Sequence, residues 1–531
     1  MCEHPMRQWI AGPFIAVLLG SQMVLAENDG VDFSSLTIRD AVGLALQNNL
    51  GARVERLQGD IAGAHITERL AEFDPAFTFS GSYESKVTPQ DTQEFVATRT
   101  LATQESGNRI FWEDNWRYES GLKGKLPFGT EYELGVNLNE LRNSLNIQIP
   151  PSLFYPEYQS FAGVRITQPL LKDFGFDAQL AGLRVARSDS RLAALSWRLK
   201  VEQLVAGVMK NYYDLVFATQ DTKIKSENIA RARQLEDQNR KRVEKGVGSE
   251  IDVQQATVAA SVREEELIAA EYVAREKSDL LLRDLVADLD VAAVPRVRTV
   301  HALSSVVPPM RRVDLMREAI SNRTEFKQAQ EQLAKQDIKI KFAENQTWPR
   351  LDLFGTLGAN GLRPTAGSAL EHAFDQATPA WSLGVMVTIP LGNRQAKAQL
   401  HEARTEKEQL ILNYKQLEVD LTLQVDTAVA RVETSEKRLA TARKSVQAAS
   451  TTLDAELKRL EQGVGISFNI LEAQKDLAAA STREMAARAD LNKSLVDLWL
   501  ATGTLLQKQN IKLDPSSPTG AGTPVKPAKA K

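Results

Sequence analysis

Residues 242–256 read RVEKGVGSEIDVQQA, and residues 459–473 read RLEQGVGISFNILEA, 217 positions later. Each stretch stands between a very long proline-free segment, roughly 182–245 and 393–462, and a shorter one, roughly 250–289 and 467–508. Each therefore reads as the reversal point of a helical hairpin. Gly246 and Gly463 are placed to take the left-handed backbone that ends a helix, and Ser249 and Ser467 are candidates to cap the next one. The glycines alone would suit any loop. The recurring Arg242/Arg459, the glutamates and the alanines around them point instead to a duplication.

The duplication reaches further in both directions. Ala45-Leu46-Gln47-Asn48 matches Ala319-Ile320-Ser321-Asn322, and Asp74-Pro75 matches Trp348-Pro349, both at an offset of 274. GVRITQPLL (163–171) matches GVMVTIPLG (384–392) at 221. Two repeats follow, 36–289 and 313–508, joined by a linker at 290–312 and trailed by a Pro/Ala/Lys-rich tail, 509–531, whose composition predicts disorder. A unit of this size is a duplicated domain rather than a solenoid repeat.

In the long segments Val201, Val205, Val208, Tyr212 and Leu215 step by 4 and 3, as do Leu410, Tyr414, Leu417 and Leu421. That spacing lays one apolar stripe along a helix. Sixty-odd residues make a rod of roughly 95 Å, which must pack on neighbouring helices as a coiled coil. The strands carry the other period. Leu351, Leu353, Gly355 and Leu357 alternate with Asp352, Phe354 and Thr356. Leu383, Val385, Val387 and Ile389 alternate with Gly384, Met386 and Thr388. The repeat partners Phe77, Phe79, Gly81 and Tyr83, and Ala162, Val164 and Ile166, keep the same facing, with Arg165 and Thr167 on the polar side.

Composition narrows the function. The chain has 531 residues, 43% hydrophobic and 25% charged, with a net charge of -3, so nothing argues for nucleic acid as a partner. Arg7, the apolar run 9–20 and Val24-Leu25-Ala26 read as a cleaved secretory signal over 1–26. The single cysteine, Cys2, precedes that run and is not placed for lipid attachment. The five histidines, His4, His65, His301, His372 and His401, are scattered, and no HExxH, GxSxG or GxxxxGK stretch occurs, so no catalytic residue, cofactor or metal site is expected. An exported chain without a membrane helix is either soluble or enters a membrane as strands. A closed barrel needs at least eight strands, more than one such chain supplies, so several chains would have to pool them.

The export signal, the tandem repeats, the short strands ending at QPLL or IPL and the helices broken by RxxxGxG together resemble the outer-membrane efflux proteins, the TolC-like channels. The resemblance covers about Leu36 to Leu506. It implies a mainly α fold with β: long helical hairpins forming a periplasmic α-barrel, and a few antiparallel strands per chain forming a shared transmembrane β-barrel on trimerisation. It implies a homotrimer in the outer membrane of a Gram-negative bacterium. That trimer conducts substrates passively from a periplasmic adaptor and an inner-membrane pump, and Arg165, Thr167, Asp352 and Thr388 line the barrel lumen. The tips Arg242, Gly246, Val247, Gly248 and Arg459, Gly463, Val464, Gly465 are the implied adaptor contacts. Asp252 falls at the family's first-repeat gate aspartate, and equally reads as a helix N-terminal acid. Asn469 and Glu472 fall at two positions that ring the second-repeat constriction with carboxylates, so one ring is here an amide and the cation preference should be weaker. The family's gate tyrosine and arginine fall at Leu460 and Gly465. The competing class is an exported structural coiled coil or trimeric adhesin, which leaves the matched strands unexplained.

The first repeat carries about 53 extra residues between its strand-flanking prolines. They contain two alternating segments, 117–126 and 130–138, separated by Pro127-Phe128-Gly129. The pair predicts either two more wall strands, six per chain and eighteen per trimer, or a hairpin lying outside the membrane.

Overall fold

The computed structural model describes residues 33–91, 93, 110–147, 153–289, 294–300, 303–375 and 378–513. The segment expected to be a signal (1–26), residues 290–293 and 301–302 of the linker, and the tail from 514 lie outside the described residues.

Each repeat opens with a bent helix pair. In the first repeat these are α1 (Ile38–Asn48) and α2 (Leu50–Leu70). The Asn49 side chain caps α2 by accepting from the Ala52 amide, so the bend is fixed where a helix must end and restart. The chain then enters β1 (Ala76–Pro89), β2 (Ile110–Lys125), β3 (Glu131–Leu141) and β4 (Glu157–Pro169). A single turn of helix, α3 (Phe176–Gln179), leads into α4 (Ala181–Glu244) and its return α5 (Glu250–Leu285). The second repeat runs α6 (Arg312–Asn322), α7 (Thr324–Gln346), β5 (Arg350–Arg363), α8 (Ala366–Phe374), β6 (Pro379–Thr388), α9 (Arg394–Glu461), α10 (Ser467–Ala501) and the short α11 (Leu505–Lys508). The offset of 274 is kept by both ends of β1 and β5. The second return segment is not one helix to 508: it stops at Ala501, and Gly503, at φ +66°, turns the chain before α11.

At 64 and 68 residues, α4 and α9 are rods of about 95–100 Å. The α4 stripe is fully buried, against α5 and its neighbours, whereas on α9 only Leu421 of the expected four is buried and Leu410, Tyr414 and Leu417 stay partly exposed. Val201, Val205, Val208, Tyr212 and Leu215 form a core with Leu281, Leu282, Leu285 and Val496. Val425, Val429 and Val432 form another with Leu491, Leu495 and Leu498. Ile511 is buried in the first of these cores, so packing extends a few residues into the segment read as tail.

All six strands make one antiparallel sheet in chain order, β1-β2-β3-β4-β5-β6. The strands in the extra residues are longer than the alternation indicated, extending back to Ile110 and on to Leu141. They lie between β1 and β4, not outside the sheet. Their turn is tight, closed by Leu126 N–H to Thr130 O at 2.8 Å with Gly129 at φ +106°, and it lies at the helical end of the sheet. One face is apolar: Phe77, Leu122, Leu134, Val164, Leu357 and Trp381 stand in a single register row across all six strands.

Candidate functional site

The two hairpin tips have the same backbone. At the first, the Gly246 amide donates to Val243 O at 2.9 Å and the Val247 amide to Arg242 O at 3.0 Å. At the second, Gly463 donates to Leu460 O at 3.1 Å and Val464 to Arg459 O at 3.0 Å. This paired bonding satisfies the last helical carbonyls and requires a left-handed residue, and Gly246 and Gly463 sit at φ +73° and +76°. The second glycine of each motif answers a different need. A Cβ on Gly248 would stand 2.9 Å from Val243 N, and one on Gly465 2.7 Å from Leu460 N, so the chain folds back onto its own helix end. Ser249 caps α5 through the Ile251 amide. Ser467 does not cap α10, whose preceding residue is Ile466. It is buried instead and donates to Asn239 Oδ1 at 2.9 Å.

That bond belongs to a polar seam just behind the tips. Asn239 on α4 also donates to Asp252 O at 3.1 Å on α5. Arg263 on α5, 6% exposed, donates to Gln474 Oε1 at 2.8 Å and Leu471 O at 2.9 Å, both on α10. Burial pushes the Arg263 guanidinium below its ordinary value, while the nearby Glu266 and Glu472 carboxylates act the other way. Leu235, Leu453, Ile470 and Leu471 pack around this seam. The seam was not singled out from the sequence, yet it left a signal there. Arg263 continues the buried spacing Val253, Ala256, Ala260, and Asn239 continues Ala232, Leu235. A polar residue on a coiled-coil stripe fixes register at some cost in stability.

Asp252 lies in the first turn of α5, where its charge favours the helix N-terminus, and it is partly exposed. Glu472 is exposed and pairs with Lys475 at 3.5 Å, and Asn469 is partly exposed one turn earlier. The tip apolar groups are open: Val247 is 67% and Val464 71% exposed. No cluster among the described residues could hold a metal ion.

At the other end, Arg165, Thr167, Asp352 and Thr388 share the sheet's polar face. Arg165 stands across from Glu133, with 3.9 Å between the charges, and Glu133 pairs with Lys123 at 3.0 Å. Thr388 is opposite Arg350. Asp352 differs from the others in being fully buried, its Oδ2 held by Arg350 Nε at 2.6 Å. No helix among the described residues is long and apolar enough to cross a membrane.

The model of the outer membrane efflux proteins matches residues 130–283 and 315–504, more than half of the chain and parts of both repeats. The chain belongs to the outer membrane efflux protein family. Among its relatives, the solvent efflux pump outer membrane protein SrpC of Pseudomonas putida is 24% identical over 261 residues, 49% of this chain and 53% of the relative. The match therefore spans about half of that protein's length. The probable efflux pump outer membrane protein TtgC of Pseudomonas putida is 23% identical over 503 residues, 93% of this chain and 89% of the relative. The fold is that of the Campylobacter jejuni CmeC outer membrane channel, with a TM-score of 0.59 at 14% identity over 91% of this chain and 87% of that one.

At the second tip Leu460 packs into the apolar tip cluster. Gly465 has no room for any side chain. Near the tips the polar bonds that join the hairpins run through Asn239, Ser467, Arg263 and Gln474, and farther along Thr482 donates to Asp221 and Lys493 to Asp214.

Proposed function

We propose that three copies form a passive exit duct of a tripartite export system in the outer membrane, receiving substrate from a periplasmic adaptor and an inner-membrane pump. One observation carries this reading. A single chain has two equivalent tips at one end and, at the other, an antiparallel sheet with one apolar face and outer strands that have no second partner among the described residues. Three copies turn two tips into a near-sixfold ring and give each free strand edge a partner. The family and the efflux names of its relatives support it.

The tips are the docking surface, because exposed apolar side chains ring the reversal in both hairpins. Asp252, Asn469 and Glu472 border the entrance in three copies each. A carboxylate ring in a narrow pore attracts cations, and the amide at Asn469 weakens that preference. The chain performs no chemistry on the substrate. Deleting the gene and restoring it on a plasmid tests the reading. Export should depend on it, and the protein should stay with the outer membrane after a high-salt wash. A protein that washes off with salt is a soluble coiled coil, and the duct reading fails.

A further inference from the structure

We infer that the barrel of the assembled protein has eighteen strands, six from each copy, and that the free edge of β1 in one copy pairs with the free edge of β6 in the next. The inference rests on the duct reading above and concerns its bore.

The strand order decides where the extra hairpin goes. β2 pairs with β1 over fourteen positions, Ala76 to Pro89, and β3 pairs with β4 over eleven, Glu131 to Leu141. β1 and β4 are thus separated by two strands, and the hairpin cannot leave the sheet without breaking it in two. An inserted pair also leaves directions unchanged. β1 and β6 still run oppositely, so β6 of one copy meets β1 of the next in antiparallel sense.

Both faces of the hairpin match those of the strands beside it. Outward, Leu122 and Leu134 fill the row between Phe77 and Val164. Inward, one position along, the row reads Thr78, Gly121, Gly135, Gly163, Gly358 and Ala380. Along this row the backbones come close. A Cβ on Gly163 would stand 2.7 Å from Leu357 O, and one on Gly121 2.9 Å from Leu134 O. Glycine at one register on successive strands lets a sheet curl sharply toward that side. Two of the four glycines belong to the inserted strands, so the hairpin bends on the same line as the strands of both repeats. Its inner face also carries much of the sheet's charge, with Arg117 paired to Glu84 at 2.7 Å and Lys123 to Glu133. That face suits water, and the apolar row suits lipid.

At a tilt of about 40° and a strand spacing of about 4.8 Å, eighteen strands enclose a backbone diameter of about 36 Å, against about 24 Å for twelve. The membrane section then ceases to be a size filter, and discrimination moves to the tips.

Two measurements test this. With Cys2 replaced, single cysteines at Leu122, Val136 and Lys123 are introduced into the full chain in outer membranes. Lipid-phase maleimides should label positions 122 and 136, and membrane-impermeant ones position 123. Excising 110–141 joins β1 to β4 as neighbours and should lower the largest polyethylene glycol that enters from the outer side by about a third in radius, as diameter scales with strand number. Aqueous labelling at 122 and 136 overturns the eighteen-stranded wall even where the excised chain does not assemble, and so does an unchanged polymer cut-off. A chain that labels as a wall but supports no export removes the duct reading and leaves the barrel. One that exports normally with water-accessible Leu122 does the reverse.

Discussion

At Gly246 and Gly463 nothing lies within 4 Å of a would-be Cβ, so the only penalty of a side chain there is the left-handed backbone itself. Replacing either with Val should cost about 1–2 kcal/mol at the tip, and should reduce export far more than the amount of protein in the outer membrane. Equal losses of both would mean that the turn matters for folding alone. Gly465→Ala should be worse than Gly463→Ala, because the first meets backbone 2.7 Å away and the second meets open space. At Arg263 the seam offers a paired comparison. Arg263→Met keeps volume and removes both donors, so the hairpins lose a cross-link without gaining an unpaired charge. Conductance in planar bilayers should rise at least twofold. Gln474→Leu instead leaves a buried guanidinium short of one acceptor, and should destabilise the tip by about 1–3 kcal/mol. Glu472→Gln should shift ion selectivity toward anions and weaken block by multivalent cations. Unchanged selectivity after Asp252 and Glu472 are both neutralised would reassign them as helix-end acids.

At the scale of elements, the two repeats are held together where α4 of the first lies against α7 of the second. Glu331 on α7 accepts from Arg191 Nη2 at 2.6 Å and from the Ser188 hydroxyl, both on α4. The bond from Arg191 comes first among the effects that hold its carboxyl below the ordinary value of 4.5. A depressed folded-state value means that the contribution is present above pH 4.5 and is lost as pH falls through the lower one. Glu331→Gln should therefore lower the melting temperature at pH 7 and leave it unchanged near pH 2. Glu202, also on α4, runs the other way. Burial raises its carboxyl, against the opposing pull of Arg198 and Thr324, so its ionisation costs stability as pH rises through the raised value. The alternation of the strands was legible in the sequence because each has one wet and one dry face. The ends of β2 and β3 were not: Trp112, Asp114 and Trp116 share a face, and that mixture of ring and charge hides the period.

For the whole molecule, the assembly is the expected unit of stability. Light scattering of detergent-extracted protein should return roughly 170 kDa for three mature chains. A stable monomer with an intact sheet would contradict the shared barrel, since its two edge strands would have no partners. The sequence alone determined the duplication, the hairpins, the tip glycines and the facing of the strands, because each is a local rule repeated at a fixed period. Only the tertiary structure decided where the extra hairpin sits, since alternation reads the same in a wall strand and in an appended flap. It alone revealed the glycine row, whose members are scattered over more than two hundred positions and meet only through strand register. The polar seam is of the same kind. Arg263 and Asn239 stood visibly on apolar stripes, but which groups they satisfy depends on how two hairpins cross, and no single helix records that.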